Sequence, residues 1–131
     1  MICTVTPFLM FEGKAEEALS FYASTLPNSR LIEIERYGAD GPGAEGSVKL
    51  ARFSIGGLVL MCTDSPVPHS FTFTPSISLF VNCGSEEDLV RLAEALGAGG
   101  EVLMPLGNYG FSRKFGWFKD RYGVSWQLNL E

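Results

Sequence analysis

One segment of this chain occurs twice. An ungapped shift of seventy residues lays SEEDLVRLAEALG (85–97) over AEEALSFYASTLP (15–27), and Glu16/Glu86, Glu17/Glu87, Leu19/Leu89, Ala23/Ala93 and Leu26/Leu96 coincide. Five identities in thirteen positions compare with about one for unrelated sequences of average composition. The same shift sets Thr6 over Ser76, Leu9 over Leu79 and Phe11 over Val81, and GLVLM (57–61) overlays GVSWQ (123–127) with one extra residue in the second turn. A module used twice in one chain restricts the fold to arrangements in which two similar layers share the burial of apolar surface.

Each copy reads as β-α-β-β-β. In the first, TVTPFLMF (4–11) is a short β-rich run, and Ala15, Ala18, Leu19, Tyr22 and Leu26 fall on one face of a helix over about 14–26, ended by Pro27-Asn28. Alternating strands follow at 30–37 and 47–55, then a Gly-Gly turn and a strand over 56–63. The second copy repeats the order with a strand at 76–83, a helix at about 85–96, and strands around EVLMP, SRKFGWFK and VSWQLNL. The spacing predicts one domain spanning 1–131, with module one at 1–64, a proline-rich linker at 65–75 and module two at 76–131. The expected class is α+β: two modules forming a curved eight-stranded mixed sheet around a central cup.

Strand alternation sorts the side chains. Val5, Leu9, Phe11, Ile77, Leu79, Val81, Leu58, Leu60, Val124, Trp126 and Leu128 are expected to pack on the helices. Thr6, Phe8, Met10, Ser76, Ser78, Phe80, Val59, Met61, Ser125 and Gln127 are expected to look into the cup. The first set is uniformly apolar and the second mixed, as for a core face beside a ligand face.

Composition narrows the function. With 46% apolar residues a chain of 131 fills a real core, and the net charge of −5 with scattered Lys and Arg argues against a nucleic-acid surface. The N-terminus lacks a basic leader and no apolar run is long enough to span a membrane, so the expectation is a cytoplasmic protein with no membrane partner. Cys3, Cys62 and Cys83 are odd in number and lack CxxC spacing, which reads as free thiols.

The paired modules resemble the vicinal oxygen chelate superfamily, which includes glyoxalase I, extradiol dioxygenases and fosfomycin and bleomycin resistance proteins. TPFLMFEGKAEEALSFY, the RYG…GPG…GSV segment, ISLFVNC and above all GWFKDRYGVSWQLN are similar to its PhnB-like branch, also called the 3-demethylubiquinone-9 3-methyltransferase domain family. In the superfamily's enzymes, one inward position on each of the first, fourth, fifth and eighth strands supplies His, Gln or Glu to a divalent metal. Carried onto this chain, those positions are Thr6, Met61, Ser76 and Gln127, of which only Gln127 is a metal-ligand type. The resemblance therefore implies no metal and no cofactor here. The single histidine, His69, lies in the linker and reads as a surface or interface residue.

Other motifs have plain structural readings. GADGPGAEG (38–46) joins two strands and carries Asp40 and Glu45, so it is a connection, or a lid over the cup, rather than a phosphate loop entering a helix. A conventional S-adenosylmethionine fold needs a strand-helix alternation that the chain lacks. The Glu16-Glu17 and Glu86-Glu87 pairs suit first helical turns, and Asp120 suits a turn with Gly123. Arg52, a lone cation among the apolar Val48 and Leu50, is set to hold an anionic group or to reach solvent. Trp117 is placed at the cup mouth.

The expected function is a metal-independent small-molecule binder of bleomycin-resistance type, lined by Thr6, Phe8, Arg52, Met61, Ser76, Ser78, Trp117 and Gln127 and paired with an identical subunit. Catalytic residues are not identifiable, because the sequence places no nucleophile beside His69. The alternatives are an enzyme with a substituted metal site using Gln127 and Cys62, or a small-molecule methyltransferase; a third reading is a structural dimer with a closed cup.

Overall fold

The computed structural model describes residues 2–131. The chain divides into two compact units, one reaching to Ser70 and the other Phe71–Glu131, so the boundary falls inside the proline-rich segment. The first unit runs β1 (Phe8–Phe11), α1 (Ala15–Thr25), β2 (Arg30–Arg36), β3 (Val48–Ile55) and β4 (Leu58–Asp64). The second runs β5 (Leu79–Cys83), α2 (Glu86–Gly97), β6 (Glu101–Gly107), β7 (Lys114–Lys119) and β8 (Ser125–Leu130). Both copies are β-α-β-β-β, as the repeat predicts. Their strands hydrogen-bond as two four-stranded sheets, ordered β1-β4-β3-β2 and β5-β8-β7-β6, in which the first and last strand of each unit pair in parallel and the rest antiparallel.

Each sheet is buried on the face its helix covers. In the first unit Phe11, Ala51, Phe53, Leu60 and Cys62 are buried together with Ala15, Ala18, Leu19 and Tyr22 of α1. In the second, Phe118, Trp126, Leu128 and Leu130 are buried with Leu89, Leu92, Ala93 and Leu96 of α2. Period-two strands met by helices of period 3.6 are the patterns read from the sequence.

The tight turns follow from glycine. Gly56 and Gly57 both have positive φ (55° and 92°) and Ile55 pairs with Leu58, a two-residue hairpin loop of the kind that requires positive φ twice. The equivalent β7–β8 loop is one residue longer. Asp120 N–H donates to Val124 O at 2.8 Å, enclosing Arg121, Tyr122 and Gly123, whose φ is 92°. This is the insertion that the repeat alignment demanded.

Two strands begin later than the alternation predicts. Pro7 has no N–H for the ladder, and β1 starts after it at Phe8, although Pro7 O still accepts from Met61 N–H at 2.9 Å. Before β5, Thr74-Pro75-Ser76-Ile77 forms a turn, with Ile77 N–H reaching Thr74 O at 3.4 Å. Val5 and Ile77, expected on the helices, are therefore 95% and 76% exposed. Leu58, at the start of β4, is also exposed.

The glycine-rich segment 38–46 connects β2 to β3. It folds over Tyr37, whose backbone exchanges bonds with Ser47 O and Gly46 N–H at 2.9 Å each and whose hydroxyl donates to Asp64 O at 3.1 Å. A Cβ on Gly43 would lie 2.5 Å from the Tyr37 ring, so only glycine lets the loop approach this closely.

The paired glutamates open their helices, as expected for the macrodipole. They also have partners that the one-dimensional pattern does not show. Arg36 forks onto Glu16 with contacts of 2.7 and 2.5 Å, and Lys114 reaches Glu86 at 2.7 Å. These hydrogen bonds hold both carboxyls below their ordinary range.

Candidate functional site: the helix-averted sheet faces

The helix-averted face of each sheet carries the mixed side chains. In the first unit, register places Phe8, Met61, Arg52 and Glu33 in one row across four strands. Phe8 is exposed and Met61 half-buried. Arg52 is not a lone cation: its Nε lies 2.9 Å from Glu33 Oε1, the cross-strand neighbour supplied by β2. Any anion drawn to this guanidinium competes with a carboxylate already there. Thr6 is half-buried but lies before β1, so the first-strand position beside Met61 is Phe8 rather than Thr6.

In the second unit the corresponding row is Phe80, Gln127, Trp117 and Met104. Ser76, expected on this face, is instead an exposed turn residue whose hydroxyl meets Thr74 Oγ1 at 2.7 Å. The turn imposed by Pro75 removes it from the strand, and Phe80 takes the register position beside Gln127. Below this row, Ser125 is buried and its Oγ accepts from Trp117 Nε1–H at 2.8 Å and lies 2.7 Å from Ser78 Oγ. Pro75 O stands 3.4 Å from both hydroxyls. Trp117 and Ser78, both expected site residues, are thus locked by a shared hydrogen-bond hub, which fixes the indole orientation.

Above the row, Asn129 Nδ2 donates to Asn82 Oδ1 at 3.0 Å and Phe115 pairs in register with Asn129. Sequence reasoning missed both asparagines, although each lies two residues from a face position already recognised. The Gln127 side chain is half-buried and carries no hydrogen bond from a described residue, so its amide oxygen and nitrogen are available to a ligand.

Cys62, offered as a substituted metal ligand, and Asp120, expected in a turn, both have structural surroundings. Cys62 is buried against α1, on the opposite face of β4 from Met61, and burial, aided by the neighbouring Asp64 charge, pushes its thiol up to about 12. Asp120 is buried and bound: Oδ1 accepts from Tyr122 and Val124 N–H at 2.8 and 3.0 Å, and Oδ2 from Trp126 Nε1–H at 2.9 Å. His69, expected to have no nucleophile beside it, does have a hydroxyl there: Nε2 lies 2.8 Å from Ser65 Oγ, and that Oγ also donates to Val67 O at 2.8 Å and accepts from Val67 N–H at 3.3 Å, which ties it into the turn after β4.

The donor set does not fit the superfamily's metal. The positions in register with Met61 and Gln127 are Phe8 and Phe80, which offer no ligand atom. Among the described residues, no three His, Cys, Asp or Glu side chains gather within reach of one ion. No helix among them is long and apolar enough to cross a membrane.

Comparison with known proteins agrees with this fold. A PhnB protein from Bacillus cereus is 53% identical over 98% of this chain and 100% of its own, with a TM-score of 0.95. A glyoxylase/bleomycin resistance protein/dioxygenase domain from Frankia shares 17% identity over 99% and 98% of the two chains, with a TM-score of 0.68. A fosfomycin resistance protein from Listeria monocytogenes shares 16% over 98% and 93%, with a TM-score of 0.64. At those identities the last two bear on the fold alone. Residues 3–129 match the family described as 3-demethylubiquinone-9 3-methyltransferase, and the chain belongs to that PhnB-like family of the glyoxalase/bleomycin-resistance fold.

Proposed function

We propose that this protein binds a small organic molecule without a metal ion, in the manner of a bleomycin resistance protein, on the helix-averted faces of its sheets. The observation that carries the reading is the second unit's central row. A half-buried Gln127 amide with no partner among the described residues stands between Phe80 and a Trp117 ring held by Ser125. Sites for small molecules combine apolar and aromatic walls with a few placed polar groups. Ser78 and Ser125 act as the supporting layer. The averted face of the first unit, taken by itself, carries Phe8, Met61 and the Arg52–Glu33 pair.

Binding rather than catalysis is supported by the chemistry of the row, which contains no nucleophile beside a base. The methyltransferase in the family's description has no support from the topology, since two β-α-β-β-β units are not a doubly wound sheet. The alternative is a metal enzyme with substituted ligands, kept in view by the fosfomycin resistance protein of the same fold, which was crystallised with Mn(II). We further propose a cytoplasmic homodimer. The apolar Ile2 and Val5, fully or almost fully exposed, suit contact with a second subunit.

The test is a thermal-shift screen against a small-molecule library, repeated on Gln127→Ala. The reading predicts compounds that raise Tm in the parent and lose much of that effect in the variant. No stabilising compound, or hits indifferent to Gln127→Ala, would contradict it.

A further inference from the structure

The second unit exposes more aromatic surface than its fold requires. Phe80 is 55% exposed, Tyr109 41% and Phe111 63%, whereas Phe115 beside them is buried. Tyr109 and Phe111 lie on the connection between β6 and β7. Their rings are nearly parallel, 16° apart with centroids at 6.3 Å, and both stand edge-on to Phe115, at 6.2 and 4.9 Å. Phe80 joins the group at 6.5 Å from Phe115 and is also the register neighbour of Gln127. A continuous aromatic wall therefore runs from the loop to the unpartnered amide.

The loop is held in this shape. Tyr109 Oη donates to Pro105 O at 2.6 Å, and Gly110 N–H donates to Asn108 Oδ1 at 2.8 Å. Tyr109 is fixed by its hydroxyl, and the exposed Phe111 ring rests against it and against buried Phe115, so less side-chain freedom remains to be lost on stacking.

The charges decide what kind of molecule fits. At the far end of the face Lys119 meets Glu101 at 4.0 Å, and Arg113, the one charged residue of the loop 107–113, donates through Nε to Glu131 O. The strand positions of β5, β7 and β8 on this face offer no carboxylate to hold a cation. Gln127 offers one donor group and one acceptor side by side, which matches the N–H and C=O of a cyclic amide.

Resting on the binding reading above, we propose that the ligand is an uncharged, flat aromatic ring system with a cyclic-amide edge. It stacks on Phe80 and Phe111 and exchanges two hydrogen bonds with Gln127. A saturated ring of the same outline loses the stacking, and a ring with a blocked N–H leaves the Gln127 oxygen unpaired.

Calorimetric titration with 2-quinolinone tests this, alongside N-methyl-2-quinolinone and octahydro-2-quinolinone, on the parent, Phe111→Leu and Gln127→Leu, with molar mass followed by light scattering. The expected result is binding of 2-quinolinone, about tenfold weaker binding of each analogue, and a comparable loss for each variant with mass unchanged. Equal affinity for the saturated analogue, or indifference to both variants, would overturn the ligand class. So would a halved mass for Phe111→Leu, which would make the wall an interface between copies. Stabilisation by library compounds but by no flat aromatic would overturn this inference and leave the binding reading standing; no stabilising compound of any kind would remove both.

Discussion

At the scale of single residues, each unit has one buried aspartate, Asp64 or Asp120, that binds several backbone N–H groups. Asp64, at the end of β4, accepts from Gly13 and Ala15 N–H through Oδ1 at 2.8 and 3.0 Å and from Val48 N–H through Oδ2 at 3.0 Å. It therefore ties the start of α1 and the start of β3 to one carboxylate. Asp64→Ala leaves three backbone donors without their acceptor, each costing about 1–3 kcal/mol when buried, so a loss of about 3 kcal/mol or more is expected in urea denaturation. A loss below about 1 kcal/mol would show that water replaces the carboxylate. Cys62 makes a pH prediction. Its thiol is raised from an ordinary 9.0 to about 12 by burial, so between these values the unfolded chain releases the proton while the folded chain keeps it. Its contribution is whole below pH 9.0 and falls as pH rises toward about 12. Denaturation curves across that range should converge less steeply for Cys62→Ala than for the parent. Exposed Cys3 should react with a thiol reagent at mild pH while Cys62 and Cys83 stay protected.

At the scale of elements, the two helices solve the same end problem differently. Ser85 caps α2 by accepting from Asp88 N–H at 3.1 Å, whereas Lys14, at the same place before α1, has no side-chain acceptor and the distant Asp64 serves instead. Ser85→Ala is expected to cost about 1 kcal/mol, a Tm fall of a few degrees by calorimetry, and much less than Asp64→Ala. The elements themselves were legible, because helix and strand periodicities are local and the repeat cross-checks them. Strand starts were not. Alternation continues through TVTPF and TPSIS, but a proline without an N–H and a turn end the ladder, which moved Thr6 and Ser76 off the strands. The Glu33 partner of Arg52 was hidden for another reason. β2 carries register irregularities between Leu31 and Glu33 and between Glu35 and Arg36, and cross-strand neighbours there follow from the bulges rather than from counting.

At the scale of the whole chain, a duplicated module supplies two sheets, each with one face given to a helix and one face free of that duty. The free faces have diverged. The first carries a matched ion pair beside Phe8 and Met61, the second a polar hub, an unpartnered glutamine and an aromatic wall. Beside Met61 and Gln127 the register sets Phe8 and Phe80, where the sequence alone predicts Thr6 and Ser76. If a metal-free site is the working site, saturating ligand should raise stability by mass action, about 2.7 kcal/mol at a hundredfold excess over Kd, with or without chelator. The most direct measurement is elemental analysis of purified, tag-free protein together with melting before and after a chelator and with added nickel, manganese, zinc or iron. The account predicts metal far below one per subunit and an unchanged Tm. Metal near one per subunit with a chelator-sensitive Tm would contradict it and make this chain a metal enzyme with substituted ligands.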